Sequence, residues 1–427
     1  MSPLAGIAGR PRQRAVLLFM LSATYAVNYV DRQILAILLE PIKAEFGLSD
    51  AMLGLLAGPA FALFYATMGV PIAILADRRT RTHIIGLALV CFSAATAACG
   101  LVTHFWQLLG ARMLTGVGEA GTGPASQSII SDLYPPHARG RAQALYAVGV
   151  NVGTMIAFLF GGWLAHRFGW RTTFFVLGMP GLLLAPYFFL RGREPQRSVG
   201  NATPAPSMAE CLRFLRDQKS YRWLVIGSGF SAFSGYGVAT FVPAFLMRSH
   251  GLDPQQVGMV FAIILGIGGG ICTFGSGVLI DRLSRRDARW YMWVPAWGGV
   301  VALPFWPGFL LAPDITTAVL AAIVPLSVSA VYIGPCITTI QMLAPPRMRA
   351  RAAAVQLFLG NLIGLGLGPQ VIGLLSDALA PVFGKDSLRY ALLAGVAASM
   401  CAMFAYWRAS RTLIADVARS ERYAREA

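Results

Sequence analysis

Long apolar runs alternate with short polar and charged clusters along the whole chain. Twelve runs can be bounded, at about 15–39, 51–76, 83–103, 106–131, 142–165, 171–190, 221–247, 255–280, 289–311, 315–343, 352–377 and 388–408. Each is long enough to cross about 30 Å of hydrocarbon as a helix. A chain in lipid must satisfy its own backbone hydrogen bonds, so the runs predict helices rather than open strands. Two runs break the apolar pattern. Span 1 carries adjacent Asp31 and Arg32, and span 4 carries Arg112 and Glu119.

Composition strengthens this reading. The chain has 427 residues, 56% hydrophobic and only 13% charged, with mean hydropathy +0.61. A water-soluble domain lacks the polar surface to cover so much apolar matter. The net charge of +16 follows from topology. Of 35 Lys and Arg, 27 fall in seven alternate segments, six in the opposite loops (Lys43, Arg167, Arg171, Arg248, Lys385, Arg389), and two, Arg32 and Arg112, inside spans. The positive-inside rule places the 27, and both termini, in the cytoplasm. Nucleic acid is therefore not called for as a partner. The first run is too long, and lacks a cleavage site, for a removable signal peptide. The six cysteines lie mostly within apolar runs and suggest neither a disulfide framework nor a metal site. Three Lys against 32 Arg, with abundant Ala and Gly, point to a high-GC bacterial gene and hence an inner (plasma) membrane location.

The chain repeats itself. PPHARGRA (135–142) and PPRMRARA (345–352) share the pattern PPxxRxRA at an offset of 210, which also relates Asn151 to Asn361. ADRRTR (76–81) and IDRLSR (280–285) each close a span and enter a cytoplasmic loop. The expected organisation is an N-terminal six-helix bundle (1–190), a cytoplasmic linker (191–219) and a C-terminal six-helix bundle (220–427). Within the linker, 207–218 has the pattern of a short amphipathic helix at the membrane surface. Its sequon, Asn201-Ala202-Thr203, faces the wrong side for glycosylation.

Two homologous halves with a shared substrate site are the architecture of a secondary transporter. Enzyme signatures such as HExxH and GxSxG are absent, as is the phosphate-cradling GxxxxGK[ST]. The expectation is a non-enzyme with no catalytic residues, cofactor or metal, driven by an ion gradient or by its substrate's own gradient.

Gly277-Val-Leu-Ile-Asp281-Arg282-Leu-Ser-Arg285-Arg286 resembles the cytoplasmic signature of the major facilitator superfamily. A degenerate copy, with Asp77, Arg78 and Arg81, follows span 2. Within that superfamily, Asn28-Tyr29-Val30-Asp31-Arg32, Gly116-Val117-Gly118-Glu119-Ala120 with Arg112, and Gly169-Trp170-Arg171 resemble the Spinster group. The resemblance implies an all-α membrane protein of twelve transmembrane helices in two pseudo-symmetric six-helix bundles. It also implies alternating access, lysophospholipid or sphingolipid-type substrates, and proton coupling in bacterial members. By analogy the signature residues Asp77, Arg78, Arg81, Asp281, Arg282, Arg285 and Arg286 act as cytoplasmic gates; retention of positive charge on the inside also accounts for the arginines.

Charges at membrane depth cost about 2.5–3.5 kcal/mol each on insertion scales and normally face a cavity. Arg112 and Glu119, seven residues apart, share one helix face. Asp31 lies about 12 Å, and Arg112 about 9 Å, from the outer ends of their helices, so the two can meet at similar depth. With both acids ionised, Arg32 and Arg112 are compensated. A proton on Glu119 leaves the group at net +1 and frees an arginine for an anionic headgroup. The other reading is a structural ion-pair lattice locking spans 1 and 4.

Spans 7 to 12 hold no deep charge, but do hold Phe230, Phe233, Tyr236, Phe241, Phe274, Tyr332, Gln356 and Phe358. A cavity charged on one wall and apolar on the other would suit an amphiphile, although such aromatics commonly serve packing. Tyr25, Asn28, Asn151, Tyr236, Gln356 and Asn361 are candidate cavity-lining residues; an Asn can equally bridge helices. The glycines of 266–270 and 364–369 would permit close packing or bending. The reading is a monomeric proton-coupled carrier of an amphiphilic anion, with protons and membrane lipids as partners. Its alternatives are a carrier of soluble organic anions or drugs, and a gradient-independent lipid scramblase.

Overall fold

The computed structural model describes residues 11–192, 194–195 and 207–426. Arg10, the Asn201–Thr203 sequon and the side chain of Asp77 lie outside the described residues. Among the described residues the fold is helical throughout, with no strand. Spans 1, 3 and 7 are single helices, Pro11–Phe46, Arg81–Cys99 and Lys219–His250. Span 2 is Asp50–Ala57 followed by Pro59–Arg78, and its start is fixed by Ser49, whose hydroxyl accepts from the Met52 amide. That is an N-cap satisfying one otherwise unpaired helix donor.

Span 4 breaks at the residue that matters most. Its first helix, Phe105–Glu119, ends on Glu119, and Thr122–Leu133 continues it. The Thr122 hydroxyl bridges the break by donating to the Glu119 carbonyl at 2.9 Å. Spans 5 and 6 form one continuous run, Pro136–Leu190, bent at Gly169, where φ is +80°. A side chain there would clash with its own backbone, so glycine is what lets the chain turn between the two spans.

Among the described residues, seven segments are long and apolar enough to cross a membrane, and they overlap nine of the twelve spans. Spans 1 and 4, the two that carry charge, are among the remaining three. The outward faces are apolar: Phe19, Leu183, Phe274 and Val382 are 70–76% exposed. In water that surface would aggregate; in lipid it is the expected one.

Both glycine-rich stretches prove to be π-helical, Ala262–Gly268 in span 8 and Asn361–Leu367 in span 11. A π turn leaves local backbone groups less regularly paired, which is the usual cause of a bend inside a helix. The repeat that relates Asn151 to Asn361 therefore does not extend to local backbone: Asn151 sits in regular α-helix.

The contacts divide the chain into residues 1–200 with 251–266, and residues 201–250 with 267–427. Residues 251–266, including the first five of the π turn, thus group with the first unit and not with their sequence half. Within the first unit, Phe158 meets Phe261 (centroids 5.1 Å apart) and His166 lies 3.7 Å from Asp253. The core of this unit draws Leu17 and Leu21 from span 1, Ile85 and Phe92 from span 3, Ile129 and Ile130 from span 4, Tyr146 from span 5 and Phe188 from span 6.

The core of the second unit contains Tyr221, Leu224, Met292, Ile340, Ala352, Tyr406 and Leu413. Two of its buried hydroxyls are paired, Tyr221 donating to the Ala352 carbonyl (2.9 Å) and Tyr406 pairing with Ser231 (2.9 Å). The linker helix, Met208–Arg216, is capped by Ser207. Its apolar residues Cys211 and Leu215 are buried in this same core, while Met208 and Leu212 remain exposed.

Candidate functional site

The spacing of Asn28, Asp31 and Arg32, at i, i+3 and i+4, places them along one side of the span 1 helix. The structure brings all three against span 4. Arg112 Nη1 donates to Asp31 Oδ2 at 2.9 Å, and Arg32 Nε donates to Glu119 Oε2 at 2.6 Å. Two ion pairs are thus crossed between the same two helices. Asn28 completes the contact, its Nδ2 donating to the Thr122 hydroxyl at 2.6 Å.

All four ionisable groups are withdrawn from solvent, with Asp31 3%, Arg112 2% and Glu119 1% exposed, and the Arg32 side chain 12%. Span 4 reaches this depth because of glycine. A Cβ at Gly116 would fall 2.6 Å from the Phe61 carbonyl oxygen, and one at Gly118 2.7 Å from the Phe92 amide nitrogen. Only hydrogen side chains allow span 4 to pack this closely on spans 2 and 3 and so bury Glu119 at its end.

The surroundings of the two pairs differ. Asp31 also accepts from the Thr96 hydroxyl at 2.5 Å, so its carboxylate is held from spans 3 and 4 together. Arg32 lies among aromatic faces, 4.6 Å from the centroid of Tyr65, 5.2 Å from Phe61 and 5.5 Å from Tyr29. Each such contact with a desolvated cation contributes about 0.5–2 kcal/mol. Tyr25 extends this wall by stacking on Tyr146, with centroids 4.5 Å and planes 4° apart, and by an edge contact with Tyr29.

The quartet is charge-balanced but not fully bonded. Glu119 Oε1, Arg112 Nε and Asn28 Oδ1 are buried without a hydrogen-bond partner. Asp31 and Glu119 each hold one arginine of the same buried cluster, and two carboxylates brought into one buried site repel unless a proton is shared.

Other sequence candidates are placed differently. Asn28 and Gln356 are buried, Asn28 donating to the Thr122 hydroxyl and Gln356 to Ser228 at 3.3 Å. Phe241 is wholly buried and is core, whereas Phe274 is 75% exposed. Tyr236 and Asn361 are half-buried and Asn151 is exposed.

The two signature copies also differ. Arg81 is buried and pairs with Asp132 (2.5 Å) and Glu194 (2.5 Å), with further donation to Ser128 and the Pro195 carbonyl. It thereby ties the start of span 3 to the end of span 4 and the segment after span 6. Arg78 is exposed. So are Asp281, Arg282, Arg285 and Arg286, none of which makes an ion pair among the described residues. Sequence reasoning missed Thr96, Phe61, Tyr65, Asp132 and Glu194, since contacts across helices leave no local pattern. Among the described residues, no cluster of three or more His, Cys, Asp or Glu could hold a metal ion.

Comparison with known proteins agrees with this architecture. The Major Facilitator Superfamily profile matches residues 21–369. The chain is 32% identical over 409 residues to an MFS-type efflux pump of Mycolicibacterium smegmatis, covering 95% of both chains. It is 26% identical over 400 residues to human protein spinster homolog 1, covering 86% of this chain and 74% of that one. The fold matches a crystal structure of a bacterial homologue of the human lysosomal transporter Spinster, in an inward-facing and unoccupied conformation. That match has a TM-score of 0.85 and 32% identity, and covers 95% of this chain and 98% of the other. These proteins are transporters and not enzymes. The chain, an integral membrane protein of twelve helices, belongs to the Major Facilitator Superfamily, with a bacterial Spinster homologue among its structural neighbours.

Proposed function

We propose that this protein is a proton-coupled secondary active transporter that moves an amphiphilic anion, a lysophospholipid or sphingosine-phosphate-like lipid, by alternating access. The observation that carries the reading is Glu119: buried, paired through one oxygen to Arg32, with its other oxygen unpartnered and the Asp31–Arg112 pair beside it on the same two helices. A proton arriving there converts a carboxylate–carboxylate repulsion into a hydrogen bond and weakens the hold on Arg32. The released guanidinium, lodged among aromatic faces, takes a phosphate bidentately. Deprotonation restores the pair and expels the headgroup. In this scheme Glu119 and Asp31 carry the proton, while Arg32 and Arg112 form the headgroup and charge network. Arg81, Asp281 and their neighbours gate the cytoplasmic side. The protein acts as a monomer in a bacterial inner membrane, with both termini in the cytoplasm.

A second reading, a carrier of soluble organic anions or drugs, is supported by the relative named as an efflux pump. Purified protein in proteoliposomes with an imposed pH gradient separates the two. Lysolipid phosphate accumulating above equilibrium only with the gradient supports the first. Accumulation of small organic anions alone supports the second. Lipid equilibrating equally with or without the gradient would mean a scramblase and would sink both.

A further inference from the structure

A basic groove of about 880 Å³ lies in the second unit, where the linker helix Met208–Arg216 meets the far end of span 12. Its walls carry Arg216 and Arg222 on one side and Arg419 and Arg422 on the other, with Asp217 the single acid and Phe214 and Tyr423 the aromatic lining. Four guanidiniums against one carboxylate leave the groove at formal +3. None of Arg216, Arg222, Arg419 and Arg422 makes an ion pair among the described residues. Arg419 is spoken for only in part, donating to the Asp217 carbonyl at 3.2 Å.

The frame that holds these arginines together is built from specific contacts. Phe214 packs on Tyr423 with centroids 4.7 Å apart, and the Tyr423 hydroxyl donates to Glu210 at 3.0 Å. Below the groove, the Ser220 amide donates to Asp416 at 2.8 Å and the Ser220 hydroxyl pairs with Thr412 at 2.8 Å. Gln218 donates to the Leu343 carbonyl, and Cys211 and Leu215 are buried in the core. Like charges drawn together on fixed backbone repel one another, so such an arrangement is stabilised by a counter-anion. Planar guanidiniums converging on one groove match the oxygens of a phosphate.

We propose that this groove is a phosphate-binding site, distinct from the quartet and independent of the transport reading, whose ligand is the phosphate of an anionic lipid headgroup or of a soluble phosphate compound. The lipid source is favoured by what lies beside it. On span 12, Phe404, Trp407 and Ile414 are exposed, and Arg411 lies 3.7 Å from the centroid of Trp407. That pairing of Trp with Arg is characteristic of a membrane–water interface. Arg419 and Arg422 follow Arg411 by about 12–17 Å along the helix, on the aqueous side of that belt. The linker helix also exposes Met208 and Leu212 in the turns before Arg216, a composition suited to the headgroup layer.

Native mass spectrometry of the full-length protein in detergent tests this, with phosphatidylglycerol, phosphatidylcholine and inorganic pyrophosphate as probes. The wild type should retain phosphatidylglycerol over phosphatidylcholine. The double variant R419Q/R422Q should lose about tenfold or more of that affinity, the scale of a lost charge-assisted hydrogen bond. R216Q/R222Q, on the opposite wall, should lose it as well, while R213Q, outside the groove, should not. Pyrophosphate that binds the wild type and displaces the lipid assigns the site to soluble phosphate; failure to displace assigns it to the headgroup. Equal phosphatidylglycerol retention by wild type and both double variants, with no pyrophosphate bound, overturns the proposal. So does an equal loss in R213Q, which would reduce the effect to general positive charge.

Discussion

At the residue scale, Asp31 is held by donors from two different helices, the Arg112 guanidinium and the Thr96 hydroxyl, while its neighbour Arg32 turns to Glu119. Adjacent helical residues point about 100° apart, which is what lets one dipeptide serve two ion pairs. Removing one member of a buried pair leaves its partner charged and dry, at a cost of about 3–5 kcal/mol. Asp31→Asn should therefore lower thermal stability sharply in a detergent melt. The double variant Asp31→Asn with Arg112→Gln should lose less than the two single losses added together. Strict additivity would mean the pair is not coupled. The presence of four costly charges was legible in the sequence because lipid makes them conspicuous, and helix arithmetic brought Asp31 near Arg112. Thr96 was not legible, since a threonine in an apolar helix ordinarily bonds its own backbone, as it also does here to Phe92. The faces of Phe61 and Tyr65 around Arg32 are likewise contacts between helices, set by packing that no spacing rule encodes.

At the element scale, span 4 works because it is both tight and broken. Gly116 and Gly118 let it approach the backbones of spans 2 and 3, and the break after Glu119 is stitched by Thr122 and Asn28. Gly118→Val should destabilise by about 1–3 kcal/mol through overpacking against Phe92. A melt unchanged from wild type would show that spans 3 and 4 can part without penalty.

The C-terminal end of the span 1 helix and the start of span 6 are joined by a second contact. Glu45 accepts from Arg171 at 2.6 Å and from the Trp170 indole at 2.6 Å, and Arg171 also donates to the Val102 carbonyl. The Arg171 hydrogen bond, helped by that of Trp170, holds the Glu45 carboxyl below its ordinary value against a smaller opposing effect of burial. A carboxyl depressed on folding contributes stability above its unfolded value, near about 4.3, and loses it as pH falls through the folded one. Glu45→Gln should thus cost about 1 kcal/mol or less at neutral pH, since the site is half-exposed, and the deficit should shrink as pH falls below the ordinary carboxylate range. A deficit that persists unchanged at pH 3 would contradict this. The Gly-Trp-Arg stretch was visible in the sequence, but its partner Glu45 was not, because the two lie 126 residues apart.

At the scale of the whole molecule, hydropathy and charge bias were enough to count twelve helices, because lipid imposes a length and a polarity that few other environments do. The PPxxRxRA repeat could not foretell that residues 251–266 would group with the first unit, since that grouping arises from close packing between helices, as where Gly258 meets the Phe158 carbonyl and Phe261 the Phe158 ring. Nor could it foretell that the second signature's arginines would stand exposed while Arg81 closes on Asp132 and Glu194. The asymmetry of charge is the more consequential feature. Among the described residues, the charged side chains deep in the spans, Asp31, Arg32, Arg112 and Glu119, belong to one unit, so the proton chemistry proposed here has a single location. Its most direct test is proton flux in proteoliposomes loaded with a pH-sensitive dye, on addition of lysolipid phosphate, comparing wild type with Glu119→Gln. The account predicts substrate-driven proton movement in the wild type and its loss in the variant, with the variant still folded by its melt and still binding lipid. Equal substrate-driven proton flux in both would contradict it.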